Sequence, residues 1–273
     1  MKYANLSRYT DSEFKRLIGV PRKIFDEMVH VLIWSECRKK RLGRPHTLVL
    51  EDQLLLTLKY LRSYVTQFEL SVDYGLSESN VNRTILKVEN ALMKSGKFNL
   101  PKKQLATEDE ASNWVIIDVT ETRIERPKKN KKNYYSGKKK QHTLKTQVVY
   151  HPKSKQIIGI KVDKGKKHDI TLAKSTIKKL CYYRYIMADL GYYGLKEVGF
   201  KLLMPIKKPK KLPLLEIEKK FNRSISRYRV VIEHINRQLK TFKILSERYR
   251  NRRRRFELRM NLIAAIVNKI NKL

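Results

Sequence analysis

Hydrophobic residues in the first part of the chain recur every three or four positions, which is the spacing of one face of an α-helix. Thr10 and Glu13 form a capping-box pattern ahead of the first such run, and Gly19 is suited to end that helix. Pro21 is suited to the first turn of the next helix, and a further helix is predicted over about residues 51–64. We therefore expect this region to be entirely helical.

The stretch that follows has the spacing of a helix-turn-helix. Thr66 can cap a short helix, Gly75 can end it, and Ser77 can cap a second helix whose apolar residues share one face. In helix-turn-helix proteins the second helix enters the major groove of DNA, so its outward polar residues are expected to contact DNA. A helical hairpin that only packs has the same pattern and stays the alternative. The outward residues are Ser79, Asn80, Arg83 and Lys87.

After a polar stretch at about residues 97–112, which has the composition of a linker, the periodicity changes to that of strands. Residues 115–119 form a short apolar run, and residues 142–150 and 157–162 are separated by a turn and predict a hairpin. The remaining predicted elements are a helix at 170–180, strands at 185–189 and 201–204, and helices at 222–246 and 255–271.

This order of elements, three antiparallel strands followed by a helix and another strand, is that of the ribonuclease-H-like fold. The predicted fold class is therefore α/β, with a mixed sheet in a ribonuclease-H-like domain that follows an all-α helix-turn-helix domain. The change in periodicity places the division in the linker. The helical domain is predicted over residues 1–105 and the ribonuclease-H-like domain over residues 110–273.

The chain carries 62 lysines and arginines against 26 aspartates and glutamates, a formal net charge of +36 at pH 7. Such a charge repels itself unless a polyanion compensates it. Nucleic acid is therefore the leading partner, and an anionic membrane surface is a distant second. The charge indicates a partner but no activity, because structural proteins that bind RNA share it.

The cysteines and the apolar runs bear on the compartment. Cys37 and Cys181 are too few for a disulfide framework or a cysteine-rich zinc site, which fits a reducing cytosol. The N-terminus lacks the apolar core of a signal peptide. The longest apolar patch, residues 262–267, is too short to span a bilayer. We expect a soluble intracellular protein without a membrane partner.

Three acidic residues stand in unusual places for so basic a chain. Asp118 and Asp189 each end an apolar run, and Glu233 lies within a strongly periodic helix. Carboxylates at the ends of buried strands are where divalent cations gather, because hard Mg²⁺ prefers oxygen ligands. In a basic protein this set suggests metal-assisted chemistry on a phosphate backbone.

The helix around Glu233 allows two interpretations. Arg229, Glu233, Asn236 and Lys240 form a stripe beside the buried face, so Glu233 is near enough to reach a metal at the sheet edge while its neighbours hold phosphate. Alternatively, Arg229, Glu233 and Arg237 form an ion-pair ladder worth a few tenths of a kcal/mol per pair. For this helix considered alone, the ladder is the favoured interpretation.

Further segments change that balance. Residues 118–127, residues 189–194 and the arginine–glutamate–lysine spacing around Glu233 resemble the DDE transposases of bacterial insertion sequences, in particular insertion-sequence family five. In that family a tyrosine precedes the arginine by three positions, and Ser226 stands there in this chain. Residues 134–145 and the N-terminal helix-turn-helix are also of the family type, so the resemblance covers nearly the whole chain.

The resemblance implies a transposase that uses Asp118, Asp189 and Glu233 as a catalytic, metal-binding triad with Mg²⁺ or Mn²⁺. It implies double-stranded DNA as partner, both the terminal inverted repeats and the target, and at least a homodimer on DNA. It also implies a place at the nucleoid in a prokaryotic cytoplasm. Two alternatives stay open, namely a nuclease of the same fold without strand transfer and a non-catalytic DNA-binding protein that retains the fold.

Basic runs predict where the DNA backbone is held. They lie at residues 126–140, 207–211 and 248–255. Tyr134 and Tyr135 could stack on a frayed terminal base, and a solvated hairpin tip is the alternative. The other residues expected to contact DNA are Lys138, Arg229, Asn236, Arg237 and Lys240.

Other residues are excluded from the triad. Asp163 lies at a lysine-rich strand end, Glu121 points away from Asp118 if the strand alternates, and Asp169 is better placed to cap a helix. Three histidines are excluded as well, because they lack the spacing of metal ligands, namely His142, His168 and His234.

Overall fold

The computed structural model describes residues 2–40, 43, 45–101, 114–180, 183–195, 200–209 and 212–273, with the backbone alone described for 177–180. These residues form two compact units. The helical unit comprises Met1–Asn99, Leu239–Glu247 and Leu258–Leu273, and the sheet unit comprises Leu100–Gln238 and Arg248–Glu257. Most of the linker predicted at 97–112 lies outside the described residues.

The helical unit begins with five α-helices, as the apolar periodicity predicts. Thr10 caps the first helix in a complete capping box with Glu13, and Gly19 ends it in the left-handed region at φ +88°. A Cβ added at Gly19 would lie 3.1 Å from the side chains of Arg62 and Phe242, so this glycine serves both the turn and close packing. The helices are α1 (Asp11–Ile18), α2 (Arg22–Cys37), α3 (Leu50–Ser63), α4 (Gln67–Tyr74) and α5 (Glu78–Lys94).

The predicted helix-turn-helix is present in α4 and α5. The side chains of Thr66 and Ser77 accept hydrogen bonds from the backbone N–H groups of Glu69 and Asn80, which caps both helices. Gly75 ends α4 in the left-handed region at φ +63° and turns the chain towards α5. The apolar face predicted for α5 is buried, and it consists of Val81, Ile85, Val88 and Leu92.

The sheet unit contains a mixed six-stranded sheet. Its strands are β1 (Trp114–Arg123), β2 (Tyr135–Ser136), β3 (Gln141–His151), β4 (Gln156–Lys164), β5 (Tyr185–Met187) and β6 (Lys201–Leu203). The helices that accompany them are α6 (Lys131–Tyr134), α7 (Asp169–Leu180) and α8 (Glu216–Lys240), whose last two residues belong to the helical unit.

The main strands and helices of this unit follow one another along the chain in the order that the sequence predicts. β3 pairs antiparallel with β1, β2 and β4, whereas β5 pairs parallel with β1 and β6 continues the sheet parallel to β5. Helix α7 provides the crossover from β4 to β5. Three antiparallel strands, a crossover helix and parallel strands on the far side of β1 are the ribonuclease-H-like arrangement. The predicted α/β fold class is therefore confirmed.

The alternation of side chains along β1 separates a core from a site. Val115 and Ile117 belong to a buried cluster that also contains Ala173 of α7 and Ile186 of β5. Because successive side chains of a strand point to opposite faces, Asp118 is directed to the other face of the sheet. The strand therefore anchors itself on the α7 side and presents its carboxylate on the opposite side.

Several boundaries differ from the predicted ones. β1 continues to Arg123 and does not end at residue 119, so Asp118 lies within the strand. β5 ends at Met187 and not at Asp189. Helix α8 begins at Glu216 and ends at Lys240, where a separate short helix α9 (Lys243–Ser246) takes the place of its predicted last turns. Within the described ranges, no helix has both the length and the apolar character needed to cross a membrane.

The last helix, α10 (Phe256–Ile270), departs from the predicted domain division. Residues 258–273 belong to the helical unit and not to the domain predicted over 110–273. Arg259 of this helix binds Glu89 of α5 through a buried ion pair. Periodicity shows that α10 has a buried face, but the partner of that face is set by contacts between residues far apart in the sequence.

Candidate metal centre and nucleic-acid interface

The parallel pairing of β1 with β5 places Asp118 and Asp189 on the same face of the sheet. Ile116 of β1 is in register with Met187 of β5, the last pair of that ladder. Asp118 and Asp189 each follow two residues later, so both continue the same face of adjacent strands. The sequence predicted this meeting from the apolar runs that precede the two aspartates.

Helix α8 covers the face to which Asp118 points. The ring of Tyr228 lies against that of Trp114 at the start of β1, with centroids 5.5 Å apart. Two turns further along α8, the side-chain amide of Asn236 donates a hydrogen bond of 2.8 Å to Oδ2 of Asp118. We predicted a DNA contact for Asn236 from the sequence, whereas the structure gives it a role in holding this carboxylate.

The surroundings of Asp118 disfavour its charged form. Burial raises the pKa of Asp118 to about 6, and the nearby carboxylates of Asp189 and Asp169 act in the same direction. A hydrogen bond from the backbone of Val119 and the charge of Arg229 act in the opposite direction and do not cancel the increase. A carboxylate crowded by others in a partly buried site is a good ligand for a cation, because a bound cation relieves the repulsion.

Asp169 also belongs to this cluster of carboxylates, although we excluded it from the triad because its position in the sequence is that of a helix cap. It begins α7 and forms an ion pair of 2.8 Å with Lys145 of β3. A Cβ built on Gly191 would lie 3.0 Å from Oδ1 of Asp189 and 3.4 Å from Oδ2 of Asp169, so the two carboxylates flank this glycine. No pattern along the chain could reveal this, because β3 and α7 meet only in the folded sheet.

Glu233 is exposed on α8. At about 100° per residue, Arg229 and Asn236 fall within about 20° of one another around the helix, and Glu233 is rotated about 40° from Arg229 towards solvent. Throughout the described part of the chain, no three acidic, histidine or cysteine side chains lie close enough to hold one ion together. Asp118 and Asp189 thus lie on neighbouring strands, and the triad of Asp118, Asp189 and Glu233 stays a prediction.

The residues around Asp118 and Asp189 fit a divalent cation. Mg²⁺ is commonly held by only one or two protein carboxylates, with water and substrate phosphates as its other ligands, and Asp118 and Asp189 supply two. Oδ1 of Asn236 and the hydroxyl of Tyr192 are buried beside them and, among the described residues, have no hydrogen-bond partner. Unsatisfied buried polar atoms of this kind indicate a place for a ligand or its water shell.

The raised pKa of Asp118 predicts that Asp118→Asn stabilises the chelator-treated protein at neutral pH. The folded state holds the proton more tightly than the unfolded state, so Asp118 contributes stability below pH 4 and loses it as the pH rises through about 6. The variant should therefore gain up to about 3 kcal/mol at pH 8 and nothing at pH 4. Urea unfolding in EDTA at both pH values measures it, and an equal effect at both would contradict the assigned cause.

The second helix of the helix-turn-helix presents most of its predicted contacts to solvent. Ser79, Asn80 and Arg83 are exposed, and Arg83 donates a hydrogen bond of 3.2 Å to the side chain of Asn80. Lys87 was expected to point outward as well, and this expectation is wrong. It is half-buried and pairs with Glu36 of α2 at 2.7 Å, because α5 turns this side towards α2 and α3.

In the basic run of the sheet unit, the two tyrosines differ. Tyr134 has the guanidinium of Arg253 4.5 Å from its ring centroid and the amine of Lys164 5.9 Å from it, so cations already occupy its surroundings. Tyr135 is 44% exposed and available for stacking. The remaining predicted contacts are exposed on the sheet unit's hairpin and on α8, namely Lys138, Arg237 and Lys240.

The other acidic residues that the sequence excluded have partners of their own. Glu121 accepts a hydrogen bond of 2.8 Å from the hydroxyl of Thr143. Asp163 pairs with Lys167 at 2.6 Å, and the hydrogen bond from Lys167 helps to hold the pKa of Asp163 below its usual value against the effect of burial. Neither residue was expected at the cation site, and each contributes its oxygens elsewhere.

Comparisons with known proteins agree with this geometry. Residues 117–268 match the model of the DDE superfamily endonucleases, and residues 46–98 match the helix-turn-helix of the same superfamily. The chain is 47% identical over 269 residues to a probable transposase for insertion sequence element IS702 of Microchaete diplosiphon, covering 98% of both chains. It is 26% identical over 234 residues, 84% of both chains, to a protein of Streptomyces albus G that bears a transposase name for insertion sequence element IS112.

Among solved structures, a pre-cleavage Mos1 transpososome matches with a TM-score of 0.24 and 11% identity, over 86% of this chain and 81% of that chain. This similarity is too low to support an argument. The sequence relatives and the two family models are sufficient without it. The resemblance predicted from residues 118–127 and 189–194 is thereby confirmed. The chain belongs to the DDE superfamily endonucleases, enzymes that depend on divalent metals, and it is a DNA transposase of an insertion sequence with its own DNA-binding helix-turn-helix.

Proposed function

We propose that Asp118, Asp189 and Glu233 hold the divalent metal of this transposase and that the metal is Mg²⁺ or Mn²⁺. The observation that supports it is the placement of Asp118 within β1 and of Asp189 just past the end of β5, each two residues beyond the last registered pair of these parallel strands, with the pKa of Asp118 raised by burial and by its neighbours. Glu233 lies on α8 between Arg229 and Asn236, both of which act on Asp118. The proposal requires the exposed side chain of Glu233 to turn towards the aspartates.

Two residues of α8 have separate roles in this site. Asn236 fixes the orientation of the Asp118 carboxylate through its 2.8 Å hydrogen bond. Arg229 is half-buried, and its Nε has no hydrogen-bond partner among the described residues, so it is placed to hold a non-bridging phosphate oxygen. When bound, divalent metal at such a site activates the attacking oxygen and stabilises the leaving oxygen of an in-line displacement at phosphorus.

The substrate is double-stranded DNA. The helix-turn-helix recognises the terminal inverted repeats of the element through Ser79, Asn80 and Arg83, and the basic runs and Tyr135 hold the backbone and the strand ends. Transposition joins two ends of an element to one target, so the active species is a homodimer or a larger assembly on DNA. The enzyme acts at the nucleoid, in the cytoplasm of a prokaryotic cell.

A strand-transfer assay tests this function. A supercoiled plasmid with the inverted repeats that flank the gene is incubated with the full-length protein in Mg²⁺, in Mn²⁺ and in EDTA. We expect cleavage at the repeat ends and covalently joined product with either metal, and intact plasmid in EDTA. Cleavage without joined product would indicate a nuclease of the same fold, and equal binding with no cleavage in any metal would indicate a non-catalytic DNA-binding protein.

The helix-turn-helix makes a separate prediction. Arg83→Ala removes an exposed cation of α5 and should weaken binding to the repeat ends by about 1–3 kcal/mol, with a salt dependence shallower by about one unit if the contact is to phosphate. Lys87→Ala is the matched control, because it removes the same charge from the same helix at a position tied to Glu36. Fluorescence anisotropy over a range of salt measures both, and equal losses would show that only the net charge matters.

A further inference from the structure

The acidic residues near Asp118 and Asp189 include one that the proposed triad does not use. Asp169 lies close enough to Asp118 to raise its pKa, and Asp169 and Asp189 flank Gly191. The N–H group of Gly191 donates a hydrogen bond of 2.9 Å to Oδ1 of Asp189, which fixes the turn between these carboxylates. Asp169 is therefore part of the immediate surroundings of any cation that Asp118 and Asp189 hold.

The charge of Asp169 is balanced by Lys145 in a specific way. Lys145 is in register with Glu121 of β1 on one side and with Asp163 of β4 on the other. Glu121 accepts a hydrogen bond from Thr143, and Asp163 pairs with Lys167. The amine of Lys145 instead lies 2.8 Å from Oδ1 of Asp169, and the Lys145 side chain is only 12% exposed. Lys145 thus pairs with the carboxylate of the cluster and not with its neighbours in the sheet.

A buried hydroxyl next to Asp189 lacks a hydrogen-bond partner in the described part of the chain. Tyr192 is 1% exposed, and its hydroxyl has no hydrogen-bond partner among the described residues. Tyr192 follows Asp189 by three residues and its N–H donates a hydrogen bond of 3.2 Å to the carbonyl oxygen of Asp189. Burial raises the pKa of Tyr192, and the charges of Asp118, Asp169 and Asp189 raise it further. A buried donor left unsatisfied this close to Asp189 is suited to an ordered water molecule.

We propose that Asp169, paired with Lys145, is a positioning residue of the cation site and that the balance of these two charges sets the affinity for the divalent ion. The inference rests on the proposed site at Asp118 and Asp189. A dication there is attracted by Asp169 and repelled by Lys145, and the two effects nearly cancel in the native pair. Removing one partner leaves the other uncompensated at short range in a partly buried place, where a unit charge changes affinity on the order of tenfold.

The two single variants should therefore shift metal affinity in opposite directions. Lys145→Met leaves Asp169 unpaired and should tighten Mn²⁺ binding on the order of tenfold. Asp169→Asn leaves Lys145 unpaired and should weaken binding by a similar factor. The double variant, and Lys145→Arg, which keeps the pair, should both return to within about threefold of the native value. Lys161→Met, which removes an exposed lysine of β4, is the control for net charge.

Mn²⁺ binding to the full-length protein, measured by isothermal titration calorimetry, distinguishes the possible results. Opposite shifts with recovery in the double variant support the inference. Shifts in one direction, or none, overturn it, as does an equal shift for Lys161→Met. If the native protein fails to bind Mn²⁺, or binds it as well after Asp118→Asn, the proposed metal site fails instead. A melting curve for each variant shows that it is folded, and the double variant keeps the test decisive if a single one is not.

Discussion

Replacement of Asp118 by asparagine is expected to lower both DNA cleavage and strand transfer by more than about 100-fold, which is the upper end of the effect of residues that only adjoin a metal. Asparagine keeps the shape of the side chain and an oxygen that can accept the hydrogen bond from Asn236. It removes the negative charge that a divalent ion requires. The rates of plasmid cleavage and of product joining in Mg²⁺ measure the effect, and DNA binding should be unchanged.

Matched variants separate the metal site from charge in general. Asp163→Asn is the control for Asp118, because Asp163 also lies on a strand of the sheet but pairs with Lys167. Glu233→Gln should abolish both reactions like Asp118→Asn, whereas Glu216→Gln, at an exposed carboxylate of the same helix, should not. Full activity of Asp118→Asn would remove this residue from the metal site, and full activity of Glu233→Gln would reduce the proposed ligands to the two aspartates.

The placement of the two aspartates of the candidate site could be predicted because it depends on local patterns. An apolar run that ends in an aspartate predicts a buried strand followed by a carboxylate, and Asp118 and Asp189 both show this pattern, although β1 continues past Asp118 and β5 ends before Asp189. The ribonuclease-H-like order of elements then places those strands side by side. Periodicity identifies each element from a short segment, and the order of these elements along the chain then indicates the fold. The fold class and the helix-turn-helix could therefore be predicted as well.

The remaining members of the site depend on contacts between distant segments. Asp169 has the spacing of a helix cap, and only the meeting of β3 with α7 shows that it pairs with Lys145. From the sequence alone Asn236 resembles an outward polar residue, and its hydrogen bond to Asp118 follows only from the packing of α8 on β1. Lys87 departs from its predicted outward position for the same reason, because its partner Glu36 comes from a helix about fifty positions earlier. Periodicity indicates which face of an element is buried but not which element covers it.

The crowded carboxylates connect function with stability. Burial and repulsion raise the pKa of Asp118 to about 6, so a folded chain at neutral pH holds a charge in a place that disfavours it. Divalent metal and the DNA phosphates that accompany it change the balance, since the same repulsion that destabilises the site favours cation binding. We therefore expect Asp118→Asn to be both less active and more stable than the native protein.

The largest loss of stability is expected from the buried ion pair of the helical unit. Glu89 is fully buried, Arg259 is 3% exposed, and Nε of Arg259 lies 2.6 Å from Oε1 of Glu89. The guanidinium also lies 5.2 Å from the ring centroid of Tyr60. Glu89→Gln leaves a buried arginine without its counter-charge, which should lower the free energy of unfolding by about 3–5 kcal/mol in urea titrations followed by circular dichroism.

Two comparisons show whether the unpaired charge is the cause. Glu27→Gln breaks another ion pair with α10, the one to Lys269, but both of its side chains are partly exposed, so the loss should stay below about 1 kcal/mol. Replacing both Glu89 and Arg259 by methionine removes both buried charges and should cost less than Glu89→Gln alone. A double variant less stable than the single one would mean that the pair stabilises the helical unit by more than the desolvation of its charges costs.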